Sequence, residues 1–433
     1  MRARPVTAWP AAAALAVWML TSSPACGQNP LKKLPPGWKT VQHTDVPAEQ
    51  VSRIAASLGA RIVKLSNTLL ETEGKTLQVN IAECPNEAEA EKAHAAFLRA
   101  HGGSHVYALK NGRTVIELCK CSDVPLVIKA PYVLGLMPRT VTYRVTFDAA
   151  PLEKCDDMAW NEMFNRFLAW RKAPKDKEAL DRIAALRPKF EFGARLRLRT
   201  CGLGKAKSRY AFRPKPTGST VAASGDTADY TFADLPRKAG VPCVAVTATV
   251  TSTAFAVVPT QRKAGPELLG PTPFWPSDDA EIAALAKKVT AGAGTPEKKV
   301  RAILAWLMPG RHIKFGGPVT GSRYGVKQTL KQGFGHCWDF SDLCIVLCRA
   351  SGVPARQVAG WLHGECGHVW AEVLIDGKGW QQVDPTAGTA CTSRYIPYLT
   401  SETGRMPMLY LSMPTIAVLR AKELPPRPLR PVT

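Results

Sequence analysis

The stretch FGHCWDFSDLCIVLC, Phe334 to Cys348, sets three cysteines in an apolar run, and only the first stands between a histidine and a tryptophan rather than among aliphatic residues. From Phe340 to Ala350 the run is apolar on nearly every side, and it stops at Gly352. That pattern predicts a buried helix with a polar start. A thiol at such a start sits near the partial positive charge of unpaired backbone N–H groups, which favours the thiolate. Cys344 and Cys348 fall deeper in the helix beside Ile345, Val346 and Leu347, where desolvation disfavours the anion. Those two read as packing residues or disulfide partners, and Cys337 is left as the candidate nucleophile.

Downstream, His368-Val-Trp-Ala-Glu-Val373 alternates as a strand, with Val369, Ala371, Val373 and Ile375 on one face and His368, Trp370 and Glu372 on the other. After the turn residues Asp376 to Gly379, a second strand runs from Trp380 to Val383 and ends in Asp384-Pro385. Asp384 shares the His368 face only if the hairpin loop has an odd length, and a loop of Asp376, Gly377 and Lys378 supplies it. Asp384 then lies opposite Trp370 and diagonal to His368, about 7–8 Å away at the backbone. A carboxylate there can orient an imidazole, so thiol, base and orienter occur in the order acyl transfer requires.

These residues resemble the transglutaminase-like superfamily of papain-like thiol enzymes. The resemblance rests on Gly335-His-Cys-Trp-Asp-Phe340, Cys348-Arg-Ala-Ser-Gly-Val-Pro-Ala-Arg356, His368-Val-Trp-Ala-Glu-Val373 and Trp380-Gln-Gln-Val-Asp-Pro-Thr386, and it spans 271–386. It implies a papain-like core with Cys337 as nucleophile, His368 as general base, Asp384 as its partner, and no required cofactor. Relatives often carry glycine, an arginine-like residue or glutamine before the cysteine; this chain has His336. The thiolate would attack an amide carbonyl, with the Cys337 backbone N–H as oxyanion donor, and form a thioester. Capture by water gives hydrolysis; capture by an amine gives transfer. Trp338, Trp361 and Trp370 are candidate walls of a substrate approach that excludes water, and Trp306 reads as core.

The remaining chain suggests an α+β multidomain protein, since 433 residues at 45% apolar content suffice for more than one core. Residues 1–27, with Arg2 and Arg4 ahead of an apolar run from Trp9 to Leu20, read as an export signal. The run falls short of the roughly 20 residues of a membrane span. Cys26 after Ser-Pro-Ala is a candidate for lipidation. Residues 34–130 carry the order β-α-β-β-α-β-β, expected to fold as a ferredoxin-like domain with an added strand. Residues 131–188 read as a connector with a strand and helices at 160–168 and 179–186, and 189–262 as a small β-sandwich. The catalytic domain follows at 263–422, and 423–433 is a proline-rich tail.

Export makes disulfides stable, and subtracting Cys26 and one reactive thiol from twelve cysteines leaves an even number for bridging. The net charge of +22 favours polyanions such as an envelope component. It is spread along the chain without basic-aromatic interleaving, which argues against nucleic acid as a partner. No phosphate loop or EF-hand spacing is present. The partner expected is therefore a protein or peptide substrate.

Two rival readings remain. His363, Cys366 and His368, completed by Cys337 or Cys391, could form a zinc site, but their spacing matches no common zinc module and leaves Asp384 idle. A catalytically silent binding or envelope-scaffold module is the other, although none of the three chemical groups is missing.

Overall fold

The computed structural model describes residues 31, 34–101, 107–121, 123–155, 190–218, 221–222, 226–238, 240–258, 260, 265–318, 323–363, 367–375 and 378–422. The expected signal, the helices at 160–168 and 179–186, and the proline-rich tail lie outside the described residues. The chain divides into two compact units, 1–137 with 424–433, and 138–423.

The first unit runs β1 (Trp38–Asp45), α1 (Ala48–Leu58), β2 (Lys64–Thr72), β3 (Lys75–Glu83), α2 (Glu87–Ala100), β4 (Ala108–Asn111), β5 (Thr114–Cys119) and α3 (Val124–Val133). The sheet order is β1-β2-β3-β5-β4, antiparallel throughout. This corrects the ferredoxin-like expectation: in that split-βαβ plait the two strands joined by the first helix run parallel with a third strand between them, whereas here β1 pairs directly and antiparallel with β2. The β2–β3 hairpin turns on Glu73 (φ 48) and Gly74 (φ 72), the two positive φ values a type I′ turn demands. Asn86 caps α2 by accepting from the Glu89 N–H at 2.9 Å, and Ala90, Ala93 and Phe97 pack with Leu65, Ala82 and Val115.

In the second unit, β6 (Thr140–Cys155), β7 (Arg195–Arg199), β8 (Arg209–Arg213), β9 (Thr227–Thr231) and β10 (Val244–Thr253) build the β-rich part. Strand β10 alternates buried and half-buried residues along its length, and pairs with β6 on one side and β8 on the other. Strand β7 pairs with β9 in another sheet. Two strands from the far end of the chain, Met408–Tyr410 and Thr415–Lys422, also pair with β6. The expected division into connector, sandwich and catalytic domain is therefore corrected. Strand β6 joins the sheet of β10, and the strands that complete it come from the segment assigned to the catalytic domain. Alternation reports that a face is buried; it does not report which segment buries it.

The C-terminal half contains α4 (Ala280–Val289), α5 (Pro296–Leu307), α6 (Val326–Gln332), α7 (Cys337–Ala350), β11 (Ala355–Leu362), β12 (Gly367–Ile375), β13 (Gly379–Asp384) and β14 (Tyr395–Ser401). These four strands run in the order β13-β12-β11-β14 within a six-stranded sheet, in which Val257–Val258 and Thr389–Ala390 also pair with β13. Helix α7 is wholly buried along its body; Leu343, Ile345 and Leu347 share a core with Ile282 of α4, Ile303 of α5 and Val373 of β12. A second core joins Phe147 and Val246 to Trp338, Trp361 and Tyr398, so the β-rich part and the C-terminal half bury one continuous apolar surface. Cys84, Cys119, Cys121, Cys201, Cys243, Cys337, Cys344, Cys348 and Cys391 are all free thiols. The bridging expected of an exported chain is thus not found among the described residues. No helix among them is long and apolar enough to cross a membrane.

Candidate active site

Helix α7 begins at Cys337 because Asp339 fixes the turn before it. The His336 N–H donates to Asp339 Oδ2 at 2.9 Å, and Oδ1 accepts from the Tyr324 N–H at 2.6 Å and Thr329 Oγ1 at 3.1 Å. Burial pushes the Asp339 carboxyl up to about 6. A side chain at position 335 would bring its Cβ to 2.6 Å from Asp339 Cβ, so the approach to the cysteine admits glycine alone. His336 is buried against Phe315, ring centroids 5.7 Å apart, and burial holds its pKa below the ordinary imidazole range.

Strand β12 supplies His368 and β13 supplies Asp384. The pair Ile375 with Gly379 closes the hairpin on the loop 376–378, and continuing this register by one pair past Ala371 with Val383 sets Asp384 opposite Trp370. His368 Nε2 lies 2.8 Å from Asp384 Oδ2. Burial favours a neutral ring, but the Asp384 charge and hydrogen bond, with the Cys337 thiol as a further hydrogen-bonding neighbour, outweigh it and push the His368 pKa well above the usual range. With Nε2 engaged by Asp384, Nδ1 is the nitrogen left for Cys337. The structure thus brings Cys337, His368 and Asp384 together, with Cys337 itself half-buried.

Asp384 is fully buried and saturated with donors. Oδ2 also accepts from the Tyr395 hydroxyl at 2.6 Å, and Oδ1 accepts from the Thr386 N–H at 2.8 Å and its hydroxyl at 2.7 Å. Burial alone would raise its pKa, yet His368 and these donors hold it far below the normal carboxylate range. Sequence reasoning missed both partners. Thr386 carries a local signal, since a carboxylate that accepts from the residue two places on is an Asx-type turn. Tyr395 carries none, because its strand neighbours β11 and not Asp384.

The three tryptophans do not form an open wall, which corrects the expectation for Trp338, Trp361 and Trp370. Their exposures are 5%, 1% and 0%. Trp370 stacks on His368 at 6.0 Å and donates Nε1 to Gln382 at 2.8 Å, so it supports the imidazole from beneath. Trp361 packs against Phe147 and Tyr398, and Trp338 lies under the Arg323 guanidinium. Apolar rings next to a half-buried thiol gain most by joining the shared core.

Below the site, Glu372 accepts from Arg199 at 3.0 and 3.1 Å and from Arg356 Nε at 2.9 Å, with all three side chains buried. Arg356 also bonds Asp226. This cluster links β7 to the sheet that carries His368 and was not anticipated. His363 packs its ring on Tyr143 at 5.1 Å. No group of three or more metal-ligating side chains is present among the described residues, and Cys366 lies outside them.

Residues 283–385 match the transglutaminase-like superfamily. The match covers less than half of the chain and coincides with the segment that holds α7, β12 and β13. This transglutaminase-like core is 29% identical over 141 residues to an uncharacterised protein of Mycobacterium leprae, a match that covers 30% of this chain and 48% of that one. It is 30% identical over 87 residues to YebA, an uncharacterised protein of Bacillus subtilis, covering 16% of this chain and 12% of that one. The chain therefore spans less than half the length of either relative. Among solved structures, a candidate cysteine protease from Cytophaga hutchinsonii aligns with a TM-score of 0.39 at 16% identity, over 66% of this chain and 92% of that one. The periplasmic domain of TgpA from Pseudomonas aeruginosa aligns with a TM-score of 0.31 at 16% identity, over 59% and 91%.

Proposed function

We propose that the protein is an exported thiol enzyme that acts on protein or peptide amides through Cys337, His368 and Asp384. The observation that carries this reading is the continuous contact from thiol to imidazole to a buried, donor-saturated carboxylate. His368 takes the Cys337 proton and holds it as an imidazolium beside Asp384. The thiolate adds to the amide carbonyl, the C–N bond breaks, and the departing amine collects that proton, leaving a thioester. Water then releases an acid, or a primary amine releases a new amide. The helix start at Cys337 supports the developing oxyanion with its backbone N–H. The basic and apolar opening of the sequence supports export, and the charge of +22 supports affinity for a polyanionic envelope component.

The test is mass spectrometry of a peptide library incubated with and without a primary amine. Chain cleavage indicates a protease, a one-dalton gain at glutamine or asparagine a deamidase, and amine incorporation a transferase. An unchanged library, together with a Cys337 that alkylates with iodoacetamide no faster than a free thiol in wild type and His368→Ala alike, leaves the silent binding or scaffold module as the reading.

A further inference from the structure

Phe315 is the one aromatic side chain among the large apolar residues left exposed in the described part of the chain, at 53%. Its ring stands against His336 at 5.7 Å and Phe340 at 5.9 Å, immediately beside the helix start that carries Cys337. Lys314 and Phe315 form a short strand that pairs parallel with Phe334–Gly335, the segment leading into that helix. The Lys314 N–H donates to the Gly333 carbonyl at 2.9 Å and the Gly316 N–H to the Gly335 carbonyl at 2.8 Å. In a parallel ladder, the residue between two such donors turns its own N–H and C=O to the opposite edge. Phe315 therefore presents a donor and an acceptor outward, and this sheet has no further strand among the described residues.

Three cationic side chains belong to the segments at that edge. Arg311 and Lys314 are exposed, and Lys331, also exposed, lies two residues before the Gly333 carbonyl that binds Lys314. The ion pairs among the described residues include none of the three. An extended segment added to this edge would share side-chain faces alternately with Phe315 and Lys314. We infer that the Phe315 edge binds an extended acidic peptide in which an apolar residue seated on Phe315 is followed or preceded by a carboxylate facing Lys314. Main-chain pairing supplies affinity, and the alternating side chains supply selection. The inference rests on Cys337 being the nucleophile only in making this peptide the substrate; binding at the edge does not require turnover.

The test uses the full chain carrying Cys337→Ala and blocked, fluorescent octapeptides that differ in one pair: Phe-Glu, Phe-Gln or Phe-Lys. Fluorescence anisotropy should show Phe-Glu binding about fivefold tighter than Phe-Gln, with Phe-Lys weakest. The preference should fade between low and high salt. Lys314→Glu should invert the order of Phe-Glu and Phe-Lys, and Phe315→Ala should weaken all three peptides alike. Both side chains are exposed, so these variants keep the fold. Equal affinities, or an order unchanged by Lys314→Glu, overturn the inference. A parallel incubation with Cys337 intact reads the chemistry separately: selective binding without turnover supports the edge and counts against the thiol enzyme, whereas turnover indifferent to the Glu-to-Lys change does the reverse.

Discussion

Replacing Asp384 by Asn removes one charge from the site; the amide nitrogen takes the place of the oxygen that accepts from the Thr386 N–H, and the amide oxygen can still accept from His368 Nε2–H. The two groups lie 2.8 Å apart and the carboxylate is fully buried. With an effective dielectric of about 20 the Coulomb attraction at that distance is roughly 6 kcal/mol, an upper bound before desolvation. Carboxylate neighbours of this kind move an opposite charge by about 1–3 pK units, so about 2 units is the working figure. The same energy biases the pair toward thiolate and imidazolium, so Asp384→Asn should lower the ion-pair population about 100-fold. The assay is the iodoacetamide rate at Cys337 from acid to alkaline pH. Wild type should react faster than the variant through the mildly acid and neutral range, by up to about 100-fold. The sign is fixed by His368: its raised pKa contributes stability that is complete below the unfolded value of about 6.5 and is lost as pH rises through the folded one. The variant should therefore lose most stability in mild acid. Superimposable rate profiles for wild type and Asp384→Asn would refute the reasoning.

Three other outcomes can be measured directly. Tyr395→Phe deletes the 2.6 Å bond to Asp384 Oδ2 and should cost about 1.5–3 kcal/mol in chemical unfolding; a double-mutant cycle with Asp384→Asn that shows no coupling would count against the bond. Glu372→Gln strips the counter-charge from Arg199, leaves Arg356 with Asp226, and should cost about 3–5 kcal/mol at neutral pH, while Arg199→Met with Glu372→Leu should recover much of it. Those two arginines outweigh burial and hold the Glu372 pKa low, so its contribution is full above the unfolded value of about 4.3 and the wild-type advantage should shrink as acid protonates the folded carboxylate. Timed alkylation read by peptide mapping should find Cys344, Cys348 and Cys391, all buried, modified only on unfolding, long after Cys337; early modification of any of them would contradict their packing.

The site was legible where local patterns carry information. Alternation along 368–375 and the odd loop 376–378 decide which face Asp384 takes, and both are properties of neighbouring residues. The polar start of α7 was equally readable, since desolvation separates Cys337 from Cys344 and Cys348 within one helix. Contacts between distant segments were not. Nothing near Thr140 announces that Met408–Tyr410 and Thr415–Lys422 will flank it, and nothing near Arg199 announces Glu372. The first unit failed for a related reason: an order of strands and helices is compatible with several sheet orders, and only pairing distinguishes them. Trp361 and Trp370 misled because an aromatic ring near a nucleophile reads the same in sequence whether it faces the solvent or the core.

The cluster of Arg199, Glu372, Arg356 and Asp226 bears on how such a protein can be inherited. A gene fragment cut to the family segment would carry Glu372 and Arg356 away from Arg199 and Asp226, and would bare the Trp361 face that Phe147 covers. Transfer of that segment alone would leave these charges stranded wherever the receiving chain did not supply their partners. The β-rich part and the C-terminal half thus balance each other's buried charge and cover each other's apolar surface, and a change in either must be tolerated by the other.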